Sequence, residues 1–194
     1  SAIGALLHYI LIVSGVGLVV SLLAYPVARF GGGVAIGRFA RALLPAQAVA
    51  LSTQSSLASL PPMLKSAERL GVPEASAAVT LPLAVAIFRV TGPVMNLAVA
   101  IYVAHWFGVA LGPAEIGAGI VVAAITTMGA VSLPGQVSFL TSIVPIAAAM
   151  GAPVEPLALL IAVEMLPDLV RTVGNVSMDV AAATVVARRS HIEP

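Results

Sequence analysis

Five polar residues near the end of the chain are spaced so that they share one face of a helix. They are Glu164, Asp168, Arg171, Asn175 and Asp179, at intervals of 4, 3, 4 and 4. Successive residues of a helix are about 100° apart, so these side chains form a single stripe within an apolar segment. Ionisable groups inside a membrane are costly and mark binding sites or ion pathways. Three carboxylates and one guanidinium leave a negative balance that favours a cation or a proton.

Composition requires a membrane to surround these residues. Of the 194 residues, 60% are hydrophobic and only 9% are charged, against about 25% charged in a typical soluble domain. A water-soluble globule and a disordered chain are therefore excluded. The net charge of +1 gives no basic surface for nucleic acid. With no cysteine and three scattered histidines (His8, His105 and His191), we predict no metal cluster and no cofactor.

The apolar segments predict an all-α polytopic membrane protein with two re-entrant helical hairpins. We expect a transmembrane helix at 5–28, hairpin 1 at 43–64, a broken transmembrane helix at 75–108, hairpin 2 at 114–151 and a last transmembrane helix at 156–187. Each half of a hairpin is too short to cross a bilayer alone. Gly92 and Pro93 favour the break, and Pro167 favours a kink near Val163. The two hairpin-plus-span units resemble an inverted repeat, which is typical of secondary transporters.

Basic residues predict the orientation of these segments. Seven of the nine flank hairpin 1 or follow the last span: Arg29, Arg38, Arg41, Lys65, Arg69, Arg188 and Arg189. The stretches 108–115 and 150–156 contain none. By the positive-inside rule the C-terminus is cytoplasmic, in an inner or plasma membrane, and the hairpins enter from opposite sides. We expect Arg29, Arg38 and Arg41 to lie in a linker at the membrane surface.

The chemistry of the stripe and the hairpin tips favours a small anionic ligand, most simply a carboxylate. The guanidinium of Arg171 suits bidentate binding of a carboxylate, and the N-termini of half-helices attract anions. Ser55 and Ser56 either bind that anion or only cap the hairpin helices. An enzyme is not predicted, because neither a Gly-x-Ser-x-Gly elbow nor a His-Glu-x-x-His pair occurs.

These motifs resemble the dicarboxylate/amino acid:cation symporters, a family that includes glutamate and aspartate transporters. The run from Asp168 to Asp179 is similar to the family signature Asp-x-x-Arg-Thr-x-x-Asn-x-x-x-Asp. Three further motifs support the resemblance: Thr53-Gln-Ser55-Ser56 with Leu60-Pro61, Thr80-Leu81-Pro82-Leu83, and Met128-Gly129 with Leu133-Pro134-Gly135. The resemblance covers nearly the whole chain.

The resemblance implies a role for each matching residue. Arg171 would bind the side-chain carboxylate of the substrate, and Asp168 would bind its amino group. The main-chain carboxylate would be held by Thr172, Asn175 and the two tips, namely Ser55 and Ser56 of hairpin 1 and Leu133, Pro134 and Gly135 of hairpin 2. Asp179 would bind a sodium ion, with Asn175 contributing to the cation site.

The same resemblance implies an assembly of which this chain is only a part. The family works as a homotrimer in which a mobile transport domain moves against a fixed scaffold. We expect the chain to be the C-terminal part of a longer transporter, with an incomplete transport domain and without the N-terminal scaffold. Alone it should not transport.

One segment departs from the family pattern. Where the family carries Asn-Met-Asp-Gly-Thr, this chain has Phe88-Arg89-Val90-Thr91-Gly92 and lacks the acidic ligand. Our hypothesis is that Arg89 replaces one bound cation; the alternatives are that it lines a water-filled vestibule or binds substrate. Glu164 either carries a coupling proton, pairs with Arg89 or faces a vestibule.

The sequence thus predicts cation-coupled symport of a small acidic amino acid or C4-dicarboxylate by alternating access. The coupling ion is sodium or a proton. The alternative is a carrier-derived membrane protein without concentrative coupling, acting as a channel or a sensor.

Overall fold

The computed structural model describes residues 2–129 and 135–190, and all the regular secondary structure in these ranges is helical. The ten α-helices are α1 Ala2–Leu22, α2 Ala24–Pro26, α3 Ile36–Thr53, α4 Leu60–Arg69, α5 Glu74–Ile87, α6 Thr91–Trp106, α7 Pro113–Gly129, α8 Gly135–Ala149, α9 Leu157–Leu160 and α10 Met165–Ser190. A π-helical turn (Val27–Gly31) follows α2, and a 3₁₀ turn (Ile161–Val163) follows α9. The predicted all-helical class is confirmed for these residues.

Among the residues that the structure describes, three helical stretches are long and apolar enough to cross a membrane. They are Ile3–Gly31, Glu74–Trp106 and Met165–Ser190. At 1.5 Å per residue, each exceeds the roughly 30 Å of a hydrocarbon core. Leu11, Leu18 and Phe30 are among the large apolar side chains exposed along the first stretch. Such exposure is unfavourable in water and ordinary in lipid.

The chain divides into two compact units. Unit 1 consists of Ser1–Gly17 and Thr91–Asp168, and unit 2 consists of Leu18–Val90 and Leu169–Pro194. Helices α1 and α10 each contribute residues to both units, and the boundary near residue 90 falls between α5 and α6.

Unit 1 is built around α6, α7 and α8, which pack against one another. Its core is a mixture of aromatic, branched and methionine side chains, including Tyr9, Val13, Met95, Phe139 and Ile143. Gly119 permits the close approach of α7, because a Cβ at this position would lie 2.5 Å from the Met150 sulfur. The N-terminal half of α1 therefore belongs to a core formed by residues about 80 or more positions away.

The core of unit 2 is rich in alanine. Ala28, Ala46, Ala50 and Ala181 are fully buried in it, and small residues allow helix backbones to approach closely. The clearest example is Gly32, where a Cβ would overlap the Thr184 side chain of α10. A glycine is required at this point of contact.

Helices α3 and α4 pack together, and so do α7 and α8. Helices α3 and α4 extend beyond the bounds predicted for hairpin 1, since α3 starts at Ile36 and α4 continues to Arg69. The prediction of a linker is wrong for Arg38 and Arg41, which lie in α3 with exposed side chains, whereas their position at the membrane surface stays a prediction. A helix end with charged residues on its exposed face cannot be distinguished from a linker by composition alone. Re-entrance into the bilayer and the inverted repeat stay predictions.

Two interruptions of helix lie near prolines. Helix α5 ends at Ile87 and α6 begins at Thr91, so Phe88, Arg89 and Val90 form a non-helical break. Pro93 then sits in the first turn of α6, where the missing N–H costs nothing. The 3₁₀ turn Ile161–Val163 precedes Pro167, in the region for which a kink is predicted.

Candidate substrate and ion site

Four of the five residues of the polar stripe lie on α10, Glu164 immediately precedes this helix, and most of the stripe is buried. Arg171 is 8% exposed, Asn175 2% and Asp179 1%. Thr172 is also buried, whereas Asp168 is half-buried at the N-terminal end of the helix. With Ser177, which is 1% exposed, five buried polar groups lie within nine residues of this helix. Such groups are expensive to desolvate unless they serve a ligand or one another.

Asp179 is the most deeply buried carboxylate of this stripe. Neither of its side-chain oxygens accepts a hydrogen bond from any residue that the structure describes. An attractive Coulomb interaction links this carboxylate to the Arg89 guanidinium, which is half-buried at the break between α5 and α6. Both residues belong to unit 2. The arrangement brings a buried carboxyl group within electrostatic reach of a cation that is carried on non-helical backbone.

Glu164 has a partner that the sequence did not indicate. It is 5% exposed, and its Oε2 accepts a hydrogen bond of 2.7 Å from the Tyr9 hydroxyl of α1. Tyr9 in turn contacts the edge of Tyr102, whose hydroxyl donates to the Ala5 carbonyl at 2.8 Å. His8, predicted to be interfacial or packed, is exposed and lies against Tyr102. Burial is inconsistent with a Glu164 side chain that faces an open vestibule.

The serine-rich segment between α3 and α4 is organised by its own hydrogen bonds. The Ser55 hydroxyl accepts from the Ala58 amide at 3.1 Å, and Ser59 donates to the Ser55 carbonyl at 2.9 Å. The Ser55 hydroxyl therefore satisfies an amide in the turn before α4, whose N-cap residue is Ser59, and its predicted binding of an anion stays a prediction. The Ser56 hydroxyl is half-buried and makes no hydrogen bond within the described ranges. It remains available to a ligand.

Sequence reasoning also missed the residue that joins α3 to α10. Gln47 donates from Nε2 to the Ser177 hydroxyl at 3.0 Å, and Ser177 donates to the Val173 carbonyl at 2.7 Å. A glutamine in an apolar segment was a visible signal, but its partner lies 130 residues away. This link fixes the rotation of α10 about its axis relative to α3.

The second predicted tip is only partly covered. Leu133 and Pro134 lie outside the described residues, and so does His191; Gly135 is the first residue of α8. No group of three or more histidine or acidic side chains that suits a metal occurs in ranges 2–129 and 135–190. A sodium ion at Asp179 would therefore need backbone or amide oxygens besides this carboxylate.

Comparison with known proteins identifies the chain's relatives. Residues 1–189 match the sodium:dicarboxylate symporter family. The chain is 28% identical over 180 residues to a proton/sodium-glutamate symport protein of Bacillus subtilis, covering 89% of this chain and 41% of that protein. It is 31% identical over 156 residues to human excitatory amino acid transporter 2, covering 80% of this chain and 27% of the transporter.

A third relative is named for the transport of neutral amino acids. Neutral amino acid transporter A of Bos taurus is 30% identical over 150 residues, covering 77% of this chain and 28% of the transporter. The chain thus spans about two-fifths or less of the length of these curated relatives. The family match, in contrast, extends over nearly all of the 194 residues, and it agrees with the buried polar face of α10. The chain belongs to the sodium:dicarboxylate symporter family.

Proposed function

We propose that the chain is the substrate-binding part of a cation-coupled secondary carrier for a small acidic amino acid or a C4-dicarboxylate. The observation that carries the proposal is the burial of Arg171, Asn175 and Asp179 on one face of a helix apolar enough to span a membrane. A buried guanidinium with amide and hydroxyl neighbours suits a carboxylate ligand. Transport by alternating access follows from the family and is part of this proposal.

Each charged group of the substrate has a proposed binding partner among these polar residues. Arg171 binds the side-chain carboxylate in a bidentate manner, and Asp168 binds the ammonium group. Asp168 favours an amino acid, because a C4-dicarboxylate offers it no positive charge. The other carboxylate is bound by Thr172, Asn175 and Ser56. Ser55 shapes the first tip through its cap to Ala58.

The coupling ion acts at a different place from the substrate. Asp179 and Asn175 form the cation site, and Arg89 supplies a tethered positive charge near that carboxylate. Opposite charges attract strongly where the effective dielectric is low, so a tethered guanidinium can take the place of a bound ion. Glu164, held by Tyr9, is the candidate proton carrier.

Orientation and assembly belong to the same proposal. The basic residues that flank α3 and α4 and end α10 support a cytoplasmic C-terminus through the positive-inside rule. A homotrimer, which the family resemblance implies, is the assembly that we propose.

The test is ligand-induced thermal stabilisation of the purified protein in detergent. Aspartate, glutamate, succinate, fumarate and malate are each added with and without sodium at fixed ionic strength. A hundredfold excess over the dissociation constant stabilises a folded protein by about 2.7 kcal/mol. We expect a shift for aspartate or glutamate that disappears in Arg171→Gln. The matched control is Arg189→Gln, which removes an exposed arginine from the same helix.

The outcomes separate the coupling models. A shift that requires sodium supports a sodium site at Asp179. A shift that ignores sodium but depends on pH supports Arg89 and Glu164 as the coupling groups. No shift with any of the five acids would contradict the acidic-substrate proposal.

The electrostatic interaction of Arg89 with Asp179 also favours a second candidate function. If Arg89 permanently neutralises Asp179, the chain lacks an exchangeable ion at that position and acts as a channel or sensor without concentrative coupling. Uptake by proteoliposomes that stops at equilibrium, and is unaffected by an ionophore, would favour this alternative.

A further inference from the structure

Three arginines of unit 2 line one open pocket at the end of the α3–α4 pair. Arg38 and Arg41 lie near the start of α3, and Arg69 is the last residue of α4. The Arg38 guanidinium donates from Nη2 to the Arg69 carbonyl at 2.9 Å, which holds the two helix ends together. With Ala42 at its base, the pocket has a volume of about 450 Å³.

The charge of this pocket is not balanced from within the protein. Arg38 and Arg41 donate to backbone carbonyls, and no carboxylate forms an ion pair with any of the three arginines in the part of the chain that the structure describes. Glu68, the nearest acidic residue in sequence, lines a separate pocket with Lys65. Three guanidinium groups around one cavity repel one another unless an anion lies between them.

Guanidinium groups match the geometry of phosphate. The planar donor fork of arginine forms paired, charge-assisted hydrogen bonds with phosphate oxygens. Arg38 and Arg41 are already oriented by their backbone contacts, at 2.9 Å and 3.3 Å, so less conformational freedom is lost on binding. A phosphate group is therefore the anion that these side chains suit best.

The surface beside the pocket indicates where that phosphate comes from. Arg41, Leu44 and Leu51 follow at intervals of 3 and 7 along α3, which places them on one face of the helix. Leu44 is 61% exposed and Leu51 51% exposed. A cationic pocket continued by an exposed apolar stripe has the polarity of a phospholipid, with a charged headgroup above its acyl chains.

We propose that the pocket lined by Arg38, Arg41 and Arg69 binds the phosphate group of an anionic phospholipid. This site is independent of the carboxylate-binding face of α10. It holds the headgroup at the end of the α3–α4 pair, while the acyl chains lie along Leu44 and Leu51. The site makes the stability of this helix pair depend on the lipid composition of the membrane.

The experiment measures lipid binding by the detergent-purified protein with native mass spectrometry. Phosphatidylglycerol, phosphatidylcholine and inorganic phosphate are compared for the wild-type chain and for the Arg41→Gln/Arg69→Gln double variant. This pair is chosen because neither side chain makes a tertiary hydrogen bond in the described residues. The matched control is Arg29→Gln/Arg189→Gln, which removes the same charge from two exposed arginines outside the pocket.

We expect phosphatidylglycerol to bind the wild type and the control equally. It should bind the pocket variant about tenfold more weakly, because the loss of one charged hydrogen bond corresponds to roughly that factor. Helix content by circular dichroism shows that the variant is folded. If both double variants bound phosphatidylglycerol equally weakly, the loss would be explained by net charge alone, and the proposed site would be overturned. The opposite result is a wild type that binds inorganic phosphate but not phosphatidylglycerol, with phosphate binding lost only in the pocket variant. That result would show that the pocket binds free phosphate and would overturn the proposed lipid ligand.

Discussion

The Tyr9 hydroxyl donates a hydrogen bond of 2.7 Å to the Glu164 carboxyl, although the two residues are 155 positions apart in the chain. Both are buried within unit 1, where water does not compete for either group. The bond ties the start of α1 to the turn that precedes α10. It gives the buried acid that we propose as proton carrier a defined donor and a fixed position.

Tyr9→Phe should destabilise the protein without changing its packing. The substitution removes one donor from a buried carboxyl, which costs about 1–3 kcal/mol. We expect a lower midpoint of thermal unfolding in detergent. The matched control is Tyr25→Phe, because Tyr25 packs edge-on against Phe39 and its hydroxyl makes no hydrogen bond within the described ranges. Equal midpoints for the two variants would remove any energetic role for the Tyr9–Glu164 bond.

Gly32→Ala should be strongly destabilising. Its added methyl group would overlap the Thr184 side chain and lie 2.9 Å from the Ala28 carbonyl oxygen. Overpacking of this kind costs about 1–3 kcal/mol. Gly37→Ala is the control, since nothing lies within 4 Å of a Cβ there and α3 gains a better helix former. The opposite order of unfolding midpoints would show that α10 does not approach Gly32 as described.

Arg89→Gln should change how substrate binding depends on sodium. Without the guanidinium, Asp179 loses its opposing charge, and a free cation becomes necessary to neutralise it. We expect sodium to increase the apparent aspartate affinity of the variant by about tenfold or more, as expected for ~1.4 kcal/mol of coupling. The wild type should respond less. Isothermal titration with sodium or choline at equal ionic strength measures both.

The double variant Arg89→Gln/Asp179→Asn provides the control for this prediction. It removes both charges, so the sodium dependence acquired by the single variant should disappear. Sodium dependence that is unchanged in Arg89→Gln would exclude Arg89 as a substitute for the ion.

Asp168→Asn should separate amino acid from dicarboxylate recognition. The substitution retains the size of the side chain but removes the charge that we assign to the substrate ammonium group. Aspartate should bind about tenfold more weakly, because one charged hydrogen bond is worth about 1.5–3 kcal/mol. Succinate, which has no ammonium group, should lose no affinity. Equal losses for both ligands would assign Asp168 a structural role.

Local features of the fold followed from the sequence because they depend on nearby residues. The spacing of Asp168, Arg171, Asn175 and Asp179 predicted one polar face, and the structure places all four on α10. Low charge and long apolar segments predicted a helical membrane protein, since a lipid environment requires every backbone group to be bonded within its own segment. The break that contains Arg89 could also be predicted from nearby residues, because Pro93 follows it closely in the sequence.

The ends of α3 were harder to predict. Arg38 and Arg41 were assigned to a linker because charge in an apolar sequence normally marks the membrane surface. They belong instead to the exposed face of the first turns of α3. Whether a charged segment there is helical depends on its packing against α4, which its own composition does not reveal.

The sequence by itself determined the class of the protein, the polar stripe and the family resemblance, because periodicity, composition and motif are properties of neighbouring residues. Only the tertiary structure decided the pairing of Tyr9 with Glu164, the link from Gln47 to Ser177 and the contact of Gly32 with Thr184. Each joins residues more than 100 positions apart, and its geometry depends on how whole helices pack. Side chains that meet through packing leave no periodic signal in the chain.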